Sequence, residues 1–146
     1  MQSLHLQSEF LPHMRISKGR EGISDMIREI KEEKNWPVFA ISDSWHFDEL
    51  LNVQFLDSLV QRSGTISMLL PAGFDHFIFS AKAKGILIDT RIIPDDLPRK
   101  WGMTIRANKV ALHAYEGVYI TTTIIENTPI VQMMTLCYES LWMRGK

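Results

Sequence analysis

The sequence contains one cysteine, Cys137, in 146 residues. A single thiol excludes an intrachain disulfide framework and any zinc site built on several cysteines. It also suits a reducing cytoplasm. No apolar run approaches the roughly 18 residues that a membrane span needs. The stretch from Met1 to Phe10 has neither the basic region nor the apolar core of a signal peptide. Lys and Arg form no stripe, and the formal net charge is −1. A surface that grips nucleic-acid phosphates ordinarily displays such a stripe. The five histidines are His5, His13, His46, His76 and His113. No two lie within seven positions, whereas metal-binding pairs sit closer, as at i, i+4 on a helix. Neither a metal nor a cofactor is expected. There is no G-x-S-x-G elbow, no P-loop and no dinucleotide fingerprint.

What remains is an ordinary globular mixture, with apolar residues spread along nearly the whole chain, which argues for one folded domain with one core. Residues 1–11 carry no pattern and read as a tail or linker remnant; residues 12–146 form the domain. His13 to Ser17 alternates and reads as a strand. Ile23, Met26, Ile27 and Ile30 follow at i, i+3, i+4, i+7, which marks an amphipathic helix. Val38 to Ile41 is a short apolar run of the buried-strand type. A second helical stripe runs from Phe47 to Leu59, and Thr65 to Leu70 reads as a third strand. This strand–helix alternation implies parallel strands joined by crossovers. Phe74, Phe77 and Ile78 suit a short helix, and Thr90 to Ile93 a strand. Trp101 to Ile105, Lys109 to Ala114 and Val118 to Ile125 read as a β-meander. Asn127-Thr128-Pro129 opens a last helix. The fold class is therefore α/β, a mixed sheet flanked by helices.

Open α/β sheets place ligands at the carboxyl ends of their strands. Ser42, Asp43, Trp45, His46, Arg91 and His113 are the ligand-lining candidates, by position and chemical type. Ser42 and Asp43 read equally as helix N-caps, and His113, in an alternating strand, as a satisfied histidine. The turn Lys18 to Gly22 could hold an anion at a helix N-terminus or be simply a tight turn. Asp89, Asp95 and Asp96 read as polar loop more than as a cation site. On the last helix, Val131, Met134, Tyr138 and Trp142 are expected to form a dimer seam, and Cys137 to be a buried, inert thiol.

Four segments in order resemble the C-terminal regulatory domain of TrmB-like transcriptional regulators. They are Pro12 to Ile23 with its Gly19-x-x-Gly22 turn, Val38 to Ser42, Arg91-Ile92-Ile93-Pro94, and Ile124 to Trp142 with its closing Tyr138-Glu139-Ser140-Leu141-Trp142. The resemblance implies a phospholipase D-like fold, a homodimer, a small-molecule effector, and DNA contact only through a helix-turn-helix domain not among these residues. No sugar-contacting position of the better-known relatives can be matched. Active phospholipase D-like proteins use H-x-K-x4-D, with His as nucleophile. Two residues after the five histidines stand Gln7, Arg15, Asp48, Ile78 and Tyr115, none of them Lys. The stretch Met103 to Lys109, which would carry the motif, has no His. A non-catalytic sensing and dimerising domain is the leading expectation. A hydrolase using His46, His113, Asp43 and Arg91, or a purely structural dimer module, are the alternatives.

Overall fold

A computed structural model describes residues 13–41, 49–93, 101–116 and 119–146. Among the described residues, seven strands and four helices follow the order that the hydrophobic pattern predicts. The strands are β1 (His13–Lys18), β2 (Val38–Ile41), β3 (Ile66–Leu70), β4 (Asp89–Ile92), β5 (Trp101–Arg106), β6 (Lys109–Glu116) and β7 (Tyr119–Glu126). The helices are α1 (Arg20–Glu32), α2 (Glu49–Leu59), α3 (Asp75–Ala83) and α4 (Thr128–Arg144). All strands belong to one mixed sheet in the order β1-β7-β6-β5-β2-β3-β4. β2, β3 and β4 are parallel neighbours. β5, β6, β7 and β1 continue the sheet antiparallel from β2.

The strand–helix alternation holds for β2, β3 and β4 but misplaces β1. It runs in the same direction as β2, yet β5, β6 and β7 lie between them. Pairing with β7 decides its place, through the register His13↔Glu126 to Lys18↔Thr121. That partner is more than 100 residues away in sequence, beyond the reach of any local pattern.

Both faces of the sheet are covered. On one face α1, α2 and α3 pack Ile23, Met26, Ile30, Phe55 and Phe77 against Val38, Ala40, Met68 and Ala111. On the other, α4 brings Val131 and Tyr138 onto Ile41, Leu69, Met103 and Val110. Asn127 caps α4: its side-chain oxygen accepts a hydrogen bond from the Ile130 N–H at 3.0 Å, with Pro in the first turn. Among the described residues no helix is long and apolar enough to cross a membrane.

Cys137 is exposed. The residues of α4 that meet the sheet follow the line Val131, Met134, Tyr138, Trp142. Cys137 falls about 100° off Tyr138 on the helix, outside that line, so the expectation of a buried thiol is corrected.

Candidate functional site

The carboxyl ends of β2, β3 and β4 define the upper edge of the sheet. Ser42, Asp43, Trp45 and His46 follow β2 in sequence and lie outside the described residues. Strand register brings a polar row to the same edge, on the face covered by α1. Gly102 pairs with His113, His113 with Thr122, and Thr122 with Ser17. His113 and Thr122 are each only 1% exposed. His113 Nδ1 and Thr122 Oγ1 lie 3.1 Å apart, within hydrogen-bond distance. Burial pushes the His113 pKa down to about 4, so the imidazole is neutral at pH 7.

The first turn of α1 roofs this row. Gly19 adopts φ +76°, a left-handed conformation that glycine accepts without strain. Its N–H donates to the Ile120 carbonyl at 2.7 Å. Three residues on, Gly22 is buried against the sheet, where an added Cβ would sit 2.7 Å from Ser17 Cβ and 3.3 Å from Thr122 Cβ. The Gly19-x-x-Gly22 turn is thus a packing device: the first glycine reverses the chain and the second lets the helix touch the strands. His113 is buried in this arrangement.

Arg91 is the penultimate residue of β4, on the same edge. Its guanidinium donates to the Trp142 carbonyl at 2.7 Å and stacks 4.7 Å above the Trp142 ring. It therefore holds the C-terminus of α4, where a cation also suits the helix dipole. A cleft of about 200 Å³ lies beside it, lined by Pro71, Gly73, Asp75, Arg91 and Lys146 among others. That is below the roughly 300 Å³ at which small-molecule pockets ordinarily begin. A larger cleft of about 560 Å³ opens at the opposite edge, between the loops around Gln61–Thr65 and Gly85–Asp89. None of the expected ligand residues lines it.

The dimer-seam residues are brought together, but against the sheet. Val131 is 8% and Tyr138 3% exposed, and Met134 and Trp142 pack in the same cluster. Tyr138 sits against Phe39 and Trp142, with ring centroids 5.5 and 6.0 Å apart. Burial pushes its pKa up. Val131 and Tyr138 are buried in the monomer's own core, and Met134 and Trp142 are partly buried against it.

A second polar constellation escaped the sequence reading. Arg106, at the lower end of β5, is 1% exposed yet charged. Its guanidinium meets the Glu33 carboxylate at 2.7 and 2.9 Å and also bonds Glu29. Arg15 reaches Glu29 at 2.7 Å, and Lys109 lies 3.5 Å from Glu33. Burial alone would raise the Glu29 pKa, but Arg15 and Arg106 outweigh it and hold it below the ordinary value. Nearby, Arg62 donates to the carbonyls of Ile30, Glu33 and Trp36 at 2.8, 2.6 and 3.1 Å, closing the end of α1. The available signal was Glu29 and Glu33 at i, i+4, which resembles any solvated helix face. Among the described residues no group of three or more His, Cys, Asp or Glu could hold a metal ion.

No protein-family profile matches the sequence. No curated protein matches it either. Solved structures do. TrmBL2, an archaeal chromatin protein, superposes with a TM-score of 0.70 at 15% identity, over 99% of this chain and 59% of that one. Nuc, a phospholipase D family member from Salmonella typhimurium, gives 0.65 at 12% identity, over 93% of this chain and 97% of Nuc. NucT from Helicobacter pylori gives 0.64 at 12%, over 91% and 98%. The fold is phospholipase D-like. At these identities the likeness concerns the fold alone, and the chain spans 59% of the TrmBL2 chain.

Proposed function

We propose that this chain is a non-catalytic, ligand-sensing and dimerising domain of a TrmB-like transcriptional regulator. DNA contact would come from a helix-turn-helix domain not among these residues, and the regulator would work in the cytoplasm. The observation that carries the reading is the lack of the H-x-K pattern that phospholipase D-like chemistry uses. That chemistry needs an accessible nucleophile with its charge partners. No histidine in the sequence is followed two residues later by lysine. His113, the histidine that the strands bring to the upper edge, is buried and kept neutral. The superposition with TrmBL2 over nearly the whole chain supports the regulatory side of the reading.

The effector site is the upper edge, where Arg91 and Lys146 line the small cleft and Ser42, Asp43, Trp45 and His46 follow β2 in sequence. The competing reading, a phosphodiesterase-like hydrolase, draws on the near-complete coverage of Nuc and NucT. A thermal-shift screen against sugars, sugar phosphates, nucleotides and amino acids, run beside an assay with bis(p-nitrophenyl) phosphate, separates the two. A ligand at about 100 times its dissociation constant adds roughly 2.7 kcal/mol, a shift of a few degrees. Such a shift without phosphodiester turnover supports the sensor. Turnover lost in a His46→Ala or His113→Ala variant overturns it.

A further inference from the structure

The cleft of about 560 Å³ lies at the lower edge of the sheet, where β3 and β4 begin. Its size falls within the roughly 300–1,000 Å³ of ordinary small-molecule pockets. Its inner wall is aliphatic: Leu59, Ile66 and Ile86 line it and are buried, with Ile88 half-buried beside them. Two charged residues line the same cleft, Arg62 and Asp89. Each has a capacity that the described residues leave unused.

Arg62 is held in place by the three backbone carbonyls to which its Nη atoms donate. Its Nε is buried and has no hydrogen-bond partner among the described residues. A buried donor left without a partner favours a ligand that supplies the acceptor. Charge points the same way. Arg15, Arg62, Arg106 and Lys109 share two carboxylates, Glu29 and Glu33. Burial lowers the Arg62 pKa; Glu33 opposes that shift and Arg106 adds to it. An excess of positive charge in a partly desolvated site attracts a carboxylate more strongly than it would in open water. Asp89 is the complement: an exposed carboxylate on the first residue of β4, in no ion pair with any described residue.

The sheet order sets the length of the ligand. Arg62 reaches the carbonyl of Trp36, just ahead of β2, whereas Asp89 opens β4, and β3 lies between. Two strand spacings of about 4.8 Å put the two charges about 10 Å apart. Two extended residues cover about 7 Å, and a charge-assisted hydrogen bond at each end adds about 2.8 Å. A dipeptide bridges the gap and a single amino acid falls short. We propose that the lower cleft binds an aliphatic dipeptide with free termini, its carboxylate accepting a hydrogen bond from Arg62 Nε, its ammonium donating to Asp89, and its side chains against Leu59, Ile66 and Ile86. A neutral sugar would leave both charges unmatched, and a fatty acid or an amine would match only one. The inference stands apart from the effector site proposed at the upper edge: the two clefts share no lining residue.

Nitrogen–proton correlation spectra of the 146-residue chain, titrated with leucylvaline to about 10 mM, test this. Saturable shifts are expected at residues 61–66 and 85–89, with a dissociation constant below about 1 mM. N-acetyl-leucylvaline and leucylvaline amide, each lacking one terminal charge, should bind about tenfold more weakly. Asp89→Asn should weaken leucylvaline about tenfold and leave the acetylated peptide unchanged, since that peptide has no ammonium to lose. Thr65→Trp, at an exposed lining position, should fill the cleft and abolish binding. If either variant misfolds, the blocked peptides on the unaltered chain carry the test. No saturable shift with leucylvaline overturns the site and leaves the proposed function standing. Blocked peptides that bind as tightly as the free one overturn the two-ended recognition. Shifts at Pro71–Gly73 and Arg91 instead overturn the lower cleft and assign the peptide to the upper-edge effector site.

Discussion

Arg91 and Trp142 are joined twice, by a 2.7 Å hydrogen bond to the backbone carbonyl and by the guanidinium stacked 4.7 Å over the indole. The two residues are 51 positions apart. Together they fasten the last turn of α4 to the end of β4. Gly145 completes the clasp, since a Cβ there would lie 3.1 Å from Arg91 Cβ and 3.2 Å from the Ile92 carbonyl. Arg91→Ala is expected to cost about 1–2 kcal/mol, from one charge-assisted hydrogen bond and one cation–π contact. Arg91→Lys should recover only part of that, because an ammonium cannot stack and bond in one plane. Denaturant unfolding gives the magnitude. Amide exchange locates it: protection should fall at residues 141–146 and hold in β3. Uniform loss across the sheet would count against a local clasp.

His113 supplies a pH dependence with a definite sign. Its folded pKa of about 4 lies below the ordinary 6.5. The unfolded chain therefore binds a proton before the native one does. Stability is complete above about pH 6.5 and declines as pH falls towards 4, by about 1.4 kcal/mol per unit from this one group. Urea titrations between pH 7 and 4.5 measure it. His113→Gln keeps a polar partner for Thr122 and should flatten the slope over that window. The stability that Glu29 contributes is lost only as pH falls below its ordinary pKa of 4.5, so the two effects separate in pH. An equal slope in both proteins would mean that His113 is solvated in the native state.

The elements could be read from the sequence because each follows from neighbours a few residues apart. Ile23, Met26, Ile27 and Ile30 are all buried, as their spacing requires. Ala107-Asn108 turns between β5 and β6, and Asn127 caps α4. What could not be read is which element touches which. β1 at the far edge depends on pairing with β7, and Arg106 gains its carboxylates from a helix 73 and 77 positions away. For α4 the pattern was ambiguous in itself. Two apolar stripes run along one helix, and composition does not say which meets the sheet. Of the expected ligand residues, Arg91 and His113 do reach the upper edge. Their side chains are engaged by Trp142 and Thr122, partners that only the fold supplies.

Gly22 measures how closely α1 approaches the strands. An added methyl would fall 2.7 Å from Ser17 Cβ, a distance that forces helix or strand to move. Overpacking of this kind costs about 1–3 kcal/mol, more than the few tenths to 1 kcal/mol that alanine gains over glycine inside a helix. Gly22→Ala is therefore expected to destabilise by about 1–2 kcal/mol net. Ser17→Gly removes the nearest atom in the way. The double variant should recover more than the two single effects added together predict, a coupling that a thermodynamic cycle reads directly. Strict additivity would mean that helix and strand are not in contact here.

The Arg106 network makes the last prediction, and exposure decides its direction. The guanidinium side chain is 1% exposed, whereas Glu29 and Glu33 are 25% and 21% exposed. A carboxylate robbed of its partner at this site can turn to water; the arginine cannot. Removing one partner of a buried pair leaves an uncompensated charge, and that charge is the larger part of the penalty. Arg106→Met keeps the volume, leaves both carboxylates near solvent, and should cost about 1–2 kcal/mol. The pair Glu29→Gln with Glu33→Gln leaves the dry guanidinium with amide oxygens in place of two charges and should cost more, about 3 kcal/mol or above. Because the interaction is shielded from bulk ions, the difference should change little between low salt and about 0.5 M NaCl. Urea unfolding of the two variants at pH 7 ranks them. If Arg106→Met were the more damaged, the carboxylates would be the stranded charges, and the desolvated member of the network would have been misassigned.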